Sequence, residues 1–199
     1  SGRGYHDLIY LNLSVGIGAG FIIGGEIYGG TRGYAGEIGH MTLMPDGGPE
    51  CACGRLGCLE AICGVRAITE RMKRELPDWI FEEYGVNKIK LNMSDLFLPS
   101  IVETKEVRMI LTEVGRWVGI TVANLVSIFN PELIILGGEL PKAGGNFIEA
   151  VVEEMNKSVL KEFVGTVKVV RSKMKEDPPL IGAYTLALEM LFSIEKWNL

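Results

Sequence analysis

Four side chains within residues 36–60, reading GEIGHMTLMPDGGPECACGRLGCLE, could bind a metal ion: His40, Cys51, Cys53 and Cys58. Thiolate and imidazole are soft or borderline donors, and four of them suit tetrahedral zinc in a closed structural site. The glycines at 47, 48, 54 and 57 let the loop turn tightly enough for the four to converge. The alternatives are disulfide pairing or cysteines that serve as plain small core residues. Four cysteines in 199 residues are too sparse for a disulfide scaffold, and Cys51 and Cys53, one residue apart, point away from each other in an extended chain. Cys63 lies one turn beyond Cys58 in a stretch of helical character and reads as a buried apolar residue.

Two carboxylates flank this donor set. Glu37 lies three residues before His40, and Glu60 two after Cys58, so a fold that closes the loop brings both acids near one place. Two carboxylates beside an imidazole edge can hydrogen-bond to several vicinal hydroxyls, which is what a sugar pocket needs. The same acids read equally as surface residues, with Glu60 near a helix start where the dipole favours negative charge.

The elements that must position these groups follow from patterning. Residues 7–15, DLIYLNLSV, read as a strand, and the glycine run GIGAG at 16–20 leads into a second strand over 21–30. Successive amides in such a run can cradle an anion, although hairpin turns use glycine for steric reasons alone. After the loop, apolar spacing at Leu59, Ile62, Ile68 and Met72 predicts a helix through about Glu75, stopped by Pro77. Residues 78–100 are of mixed character, and Trp79, Phe81, Tyr84 and Phe97 are expected to close over the core. The clearest amphipathic pattern spans 104–129, where Gly115 and Gly119 permit close approach of a neighbour. Asn130-Pro131 ends it, and a short buried strand at 133–136 runs into Gly137-Gly138. A helix from about 146 to 163, a strand at 167–170 and a helix at 181–192 complete the chain. Strand, glycine pair and helix start form the arrangement that binds nucleotides in open sheets, and equally a tight strand-to-helix turn.

With 47% hydrophobic residues, 199 residues build a sizeable core. A formal charge of −5 leaves no electrostatic footprint for nucleic acid on this chain. No uninterrupted apolar run reaches the length of a membrane span, and free thiols at a metal site fit a reducing, cytoplasmic setting.

The Glu-x-Gly-His block at 37–40, followed by Cys-x-Cys-Gly-x-x-Gly-Cys-x-Glu at 51–60, resembles the signature of the ROK family, named for repressors, open reading frames and kinases. The resemblance implies zinc held by His40, Cys51, Cys53 and Cys58, and a sugar contacted by Glu37, His40 and Glu60. It implies that Gly16, Gly18 and Gly20 form a phosphate-binding hairpin, and that Gly137 and Gly138 of NPELIILGG line an adenosine pocket. The implied fold is α/β: a lobe of the actin-like, ribonuclease H-like ATPase type, with a β-hairpin, a mixed sheet, flanking helices and the zinc loop. Residues 1–199 would then be the carboxyl-terminal lobe of a family member, with the amino-terminal lobe outside the chain.

Kinases of the family take the sugar proton with an aspartate that follows an asparagine in the amino-terminal lobe, which also carries the first phosphate loop. Asp7, Asp46, Asp78, Asp95 and Asp177 do not follow one, so no catalytic residue is assigned. The resulting expectation is the sugar-sensing, oligomerising domain of a ROK transcriptional regulator, with DNA bound by a winged helix upstream. The alternative is the carboxyl-terminal lobe of a glucokinase-like sugar kinase, which would use ATP and magnesium. A small-molecule sugar is the expected ligand, a homo-oligomer the expected assembly, and a membrane is no partner. Incubated with Mg-ATP and glucose, N-acetylglucosamine or N-acetylmannosamine, the 199-residue chain is expected to release no ADP; a coupled assay showing release above a sugar-free control would overturn that.

Overall fold

A computed structural model describes residues 2–96, 98–174 and 178–192. The chain opens with β1 (Leu8–Leu13), β2 (Ile17–Ile23) and β3 (Glu26–Ile27). Helices α1 (Leu59–Cys63), α2 (Val65–Glu75), α3 (Asp78–Glu83), α4 (Met93–Leu96), α5 (Pro99–Val102) and α6 (Lys105–Phe129) follow. Then come β4 (Leu133–Gly138), α7 (Gly145–Ser158), β5 (Lys168–Arg171) and α8 (Pro178–Phe192). The strands among the described residues form one sheet in the order β3-β2-β1-β4-β5. β1 runs antiparallel to β2 and parallel to β4, and β4 is parallel to β5. The sheet is therefore mixed, as expected.

Alternation along β1 sends Ile9, Leu11 and Leu13 into the main core with Ile134 and Leu136 of β4 and the apolar stripe of α6. Leu8, Leu133 and Ile135 form a smaller cluster on the other face, with Tyr10 against it. β4 is buried along almost its whole length, which fits a central strand with neighbours on both edges. α6 ends at Asn130, which takes up the left-handed conformation (φ 45°) and donates its N–H to the Val126 carbonyl. That cap, rather than an extended residue before Pro131, terminates the helix. Among the described residues α6 is the one helix long and apolar enough to cross a membrane, and most of it is buried inside the protein.

Several expected boundaries shift for identifiable reasons. The glycine run does not precede the second strand but lies in it: Gly18 and Gly20 pair with Asn12 and Tyr10, and the turn is made by residues 14–16. The stretch expected as one strand over 21–30 folds back at Gly24 and Gly25, both at positive φ (61° and 84°), as a two-residue hairpin demands. The helix after the loop is interrupted at Gly64, which is extended (ψ 146°) and frees the Val65 N–H to bond the Ser14 carbonyl at 3.1 Å. α7 ends at Ser158, short of 163, where a separate turn of 3₁₀ helix (Lys161–Phe163) begins. Trp79 is 45% exposed, because Ile80 and Phe81 take the inward side of the short α3. Tyr84 is partly buried against the core, and Phe97 lies outside the described residues.

The long helix meets α7 through its glycines. A Cβ on Gly115 would lie 2.8 Å from the Ala150 Cβ, and one on Gly119 would lie 2.7 Å from the Val151 carbonyl oxygen. Gly119→Val should therefore destabilise the fold by about 1–3 kcal/mol through overpacking. The urea midpoint measures this, and an unchanged midpoint would contradict the close crossing.

Candidate functional site

The loop between β3 and α1 is shaped by its backbone before any ion enters. Leu43 and Met44 both donate to the Gly57 carbonyl, Gly57 donates to the Pro49 carbonyl, and Cys51 donates to the Arg55 carbonyl at 2.8 Å. Gly57 sits at φ 66°, where a side chain would collide with the Met44 carbonyl, so glycine is required there. This pattern brings the donor atoms of His40, Cys51, Cys53 and Cys58 within 4.8 Å of one another. The Cys51 Sγ lies 3.6 Å from His40 Nδ1, and the Cys53 and Cys58 sulfurs are 3.6 Å apart.

A tetrahedral ion with metal–sulfur bonds of about 2.3 Å requires sulfur–sulfur edges of about 3.8 Å. The observed separations approach that value without a disulfide, and all four cysteines are free. The cluster could thus hold a metal ion, with His40 ligating through Nδ1, the ring nitrogen that faces Cys51. Cys63 does not join it. Its thiol is buried, directed at the Val114 carbonyl, and pushed well up from its ordinary pKa by burial.

The thiols differ in readiness. Hydrogen bonds from the backbone and then the side chain of Arg55 bring Cys53 down to about 6, so it is largely thiolate at neutral pH. Burial and the neighbouring sulfurs push Cys58 up to about 11. Arg55 is a contributor that the sequence reading missed; its place between Cys53 and Cys58 was the available signal.

The flanking acids are anchored to one strand edge. The Ile17 N–H donates to Glu60 Oε2 at 3.0 Å, and the Ala19 N–H donates to the Gly36 carbonyl, adjacent to Glu37, at 2.7 Å. Ile17 and Ala19 are successive outward-facing positions on the outer edge of β2, roughly 7 Å apart along the strand. The Gly39 backbone lies against the Ile17 carbonyl, close enough to exclude any side chain there. Glu60 also lines a cavity of about 720 Å³ with Val15, Cys51, Arg66, Arg71 and Trp117, whereas Glu37, which is exposed, and His40 stand outside its wall. Arg71 braces this wall by pairing with Glu75 at 2.9 Å and with Glu113 of α6 at 2.6 Å.

The glycines named from sequence gather at one end of the sheet. Asn12 pairs with Gly18 on one side and Gly137 on the other, and Leu13 pairs with Ile17 and Gly138. Gly16 caps that end at the turn, while Gly20 lies two residues beyond Gly18 along β2, opposite Tyr10.

Binding a metal ion here must expel the Cys58 proton, because only the thiolate ligates. Affinity for zinc should therefore be higher at pH 8 than at pH 6, as read by chelator competition; equal affinities would contradict the assignment. Cys58→Ser should lose the ion by elemental analysis.

Comparison with known proteins identifies the family. The sequence profile of the ROK family matches residues 1–190. The xylose repressor of Caldicellulosiruptor bescii is 32% identical over 194 residues, which cover 96% of this chain and 48% of the repressor. The glucokinase of Thermotoga maritima is 32% identical over 195 residues, 96% of this chain and 61% of the enzyme. The crystal structure of a ROK family glucokinase from Streptomyces griseus, in complex with glucose and AMPPNP, superposes with a TM-score of 0.82 at 25% identity, over 94% of this chain and 62% of that one. The chain spans about half the length of the repressor and about three fifths of the kinases. With the mixed sheet, flanking helices and cysteine loop in the expected places, the lobe has the actin-like ATPase architecture, and the chain belongs to the ROK family.

Proposed function

We propose that this chain is the sugar-sensing and oligomerising part of a ROK transcriptional regulator, with zinc as a structural ion in the His40, Cys51, Cys53 and Cys58 cluster. The observation that carries the sugar reading is the anchoring of the Glu37 block and Glu60 to neighbouring positions on the edge of β2. Two carboxylates carried by segments that meet the same strand edge, with His40 in the loop between them, suit vicinal hydroxyls. Four protein donors leave the ion no open position, so its contribution is to hold the loop and not to activate water. A sugar in that pocket would bias the geometry of the lobe, and through it the spacing of two DNA-binding heads borne by the rest of the protein. The similarity to a xylose repressor supports the regulator. Cytoplasmic residence belongs to the same reading.

A second reading, the carboxyl-terminal lobe of an ATP-dependent hexose or N-acetylhexosamine kinase, is favoured by one specific observation. Gly18 and Gly137 flank Asn12 in a single row at the carboxyl end of β1, the end of an open sheet at which nucleotides bind. Full-length protein titrated with xylose, glucose and N-acetylglucosamine, with and without AMPPNP, separates the two. The regulator reading expects sugar binding that alters DNA affinity without ADP release. Glu37→Ala and Glu60→Ala should each weaken sugar binding at least about tenfold, the loss of a charge-assisted hydrogen bond. Unchanged calorimetric affinity in both variants would overturn the pocket assignment.

A further inference from the structure

The Glu60 carboxylate faces two ways. Through Oε2 it accepts the Ile17 N–H at 3.0 Å, and a Cβ on Gly16 would lie 3.5 Å from the same oxygen, so this atom is packed against the hairpin turn. The Ile17 amide points to the outer edge of β2, away from β1, whose Leu13 carbonyl faces β4 and accepts the Glu139 N–H at 2.9 Å. A second bond runs parallel to the first: the Val65 N–H, freed by the break at Gly64, reaches the Ser14 carbonyl at 3.1 Å. Gly64 itself lies against the turn, where a Cβ would meet the Val15 carbonyl at 3.2 Å. α1 thus spans from a metal donor at its cap, Cys58, to the tip of the glycine hairpin in fewer than two turns.

We infer that Glu60 is a positioning residue for the hairpin. A carboxylate offers about four acceptor sites on its two oxygens, so Oε1 can take a sugar hydroxyl while Oε2 keeps Ile17. A sugar held there fixes the carboxylate in the orientation that fixes the turn, and a phosphate-bearing ligand at residues 14–18 gains from a turn already ordered. Sugar and phosphate ligand therefore bind with positive cooperativity, and the coupling is reciprocal. This rests on the sugar reading above for the first ligand and on the hydrogen bond to Ile17 for the link.

Amide hydrogen exchange on the whole chain tests it, with glucose, xylose and N-acetylglucosamine as sugar probes and AMPPNP as the phosphate probe. Without ligand, Glu60→Ala should speed exchange at Ile17 about tenfold while leaving Ala19, which donates to Gly36, unchanged. Glu60→Gln retains an oxygen acceptor and should restore protection to within about threefold of the native chain, a rescue that a general loss of packing would not give. A bound sugar should slow Ile17 exchange in the native chain and tighten AMPPNP at least about threefold, and Glu60→Ala should abolish both effects. Ile17 exchange indifferent to Glu60→Ala, or cooperativity that survives it, overturns the inference. Sugar that binds in a Glu37-dependent manner without moving Ile17 overturns the coupling alone; no heat with any sugar overturns the sugar reading, and the coupling with it.

Discussion

The outer edge of β2 is the constraint on which the functional half of the molecule depends. A strand edge exposes donors and acceptors that must be satisfied or shielded. Here the edge is closed in sequence by the Glu60 carboxylate at Ile17, the Gly36 carbonyl at Ala19, and Tyr28, whose N–H reaches the Phe21 carbonyl just past the end of β3. Two of these closures come from the ends of the cysteine loop. The loop's fold and the strand's edge are thus one structural problem with one solution. A metal ion bound in the cluster would hold His40 beside Cys51 and Cys58 and so fix both ends of the segment that covers the strand.

That arrangement explains which parts were legible in the sequence. The four donors could be named because soft ligands at short spacing have few other uses, and glycine at 57 signals a turn whatever the partners. Strands β1 and β4 and helix α6 were legible because each carries its own period. The break at Gly64 was not, because its cause is nonlocal: the hydrogen bond from Val65 to Ser14 lies about fifty positions away in the chain, and no pattern within residues 59–75 encodes it. The same holds for Glu60, whose partner amide belongs to the hairpin. The glycine run was misplaced for a subtler reason. Glycine disfavours a strand, yet β2 tolerates Gly18 and Gly20 because Gly36 and Gly39 press against the Ala19 and Ile17 carbonyls, so the strand is held from its edge.

Close backbone approach recurs wherever the fold is tightest. Gly115 and Gly119 let the backbone of α6 approach the Ala150 and Glu154 side chains and the Phe147 and Val151 carbonyls of α7. Because α7 directly follows β4 and its end turn, this crossing also sets where Gly137 and Gly138 emerge from the sheet. Packing far from the site therefore governs the geometry of the second glycine motif.

The glycine pair also bears on what retained motifs mean. Gly137 is covered by the Tyr10 ring, and any Cβ there would strike the phenol. Gly138, at φ 87°, lies where a Cβ would stand 2.5 Å from the Leu13 carbonyl. Both glycines are thus demanded by the pairing of β4 with β1, whether or not a nucleotide ever binds. A protein that abandoned phosphoryl transfer would still be forced to keep them, since replacing either would disturb the central strands of its core. The glycines consequently weigh little in choosing between kinase and regulator. The discriminating chemistry must come from groups that packing does not require, of which the exposed Glu37 carboxylate is one.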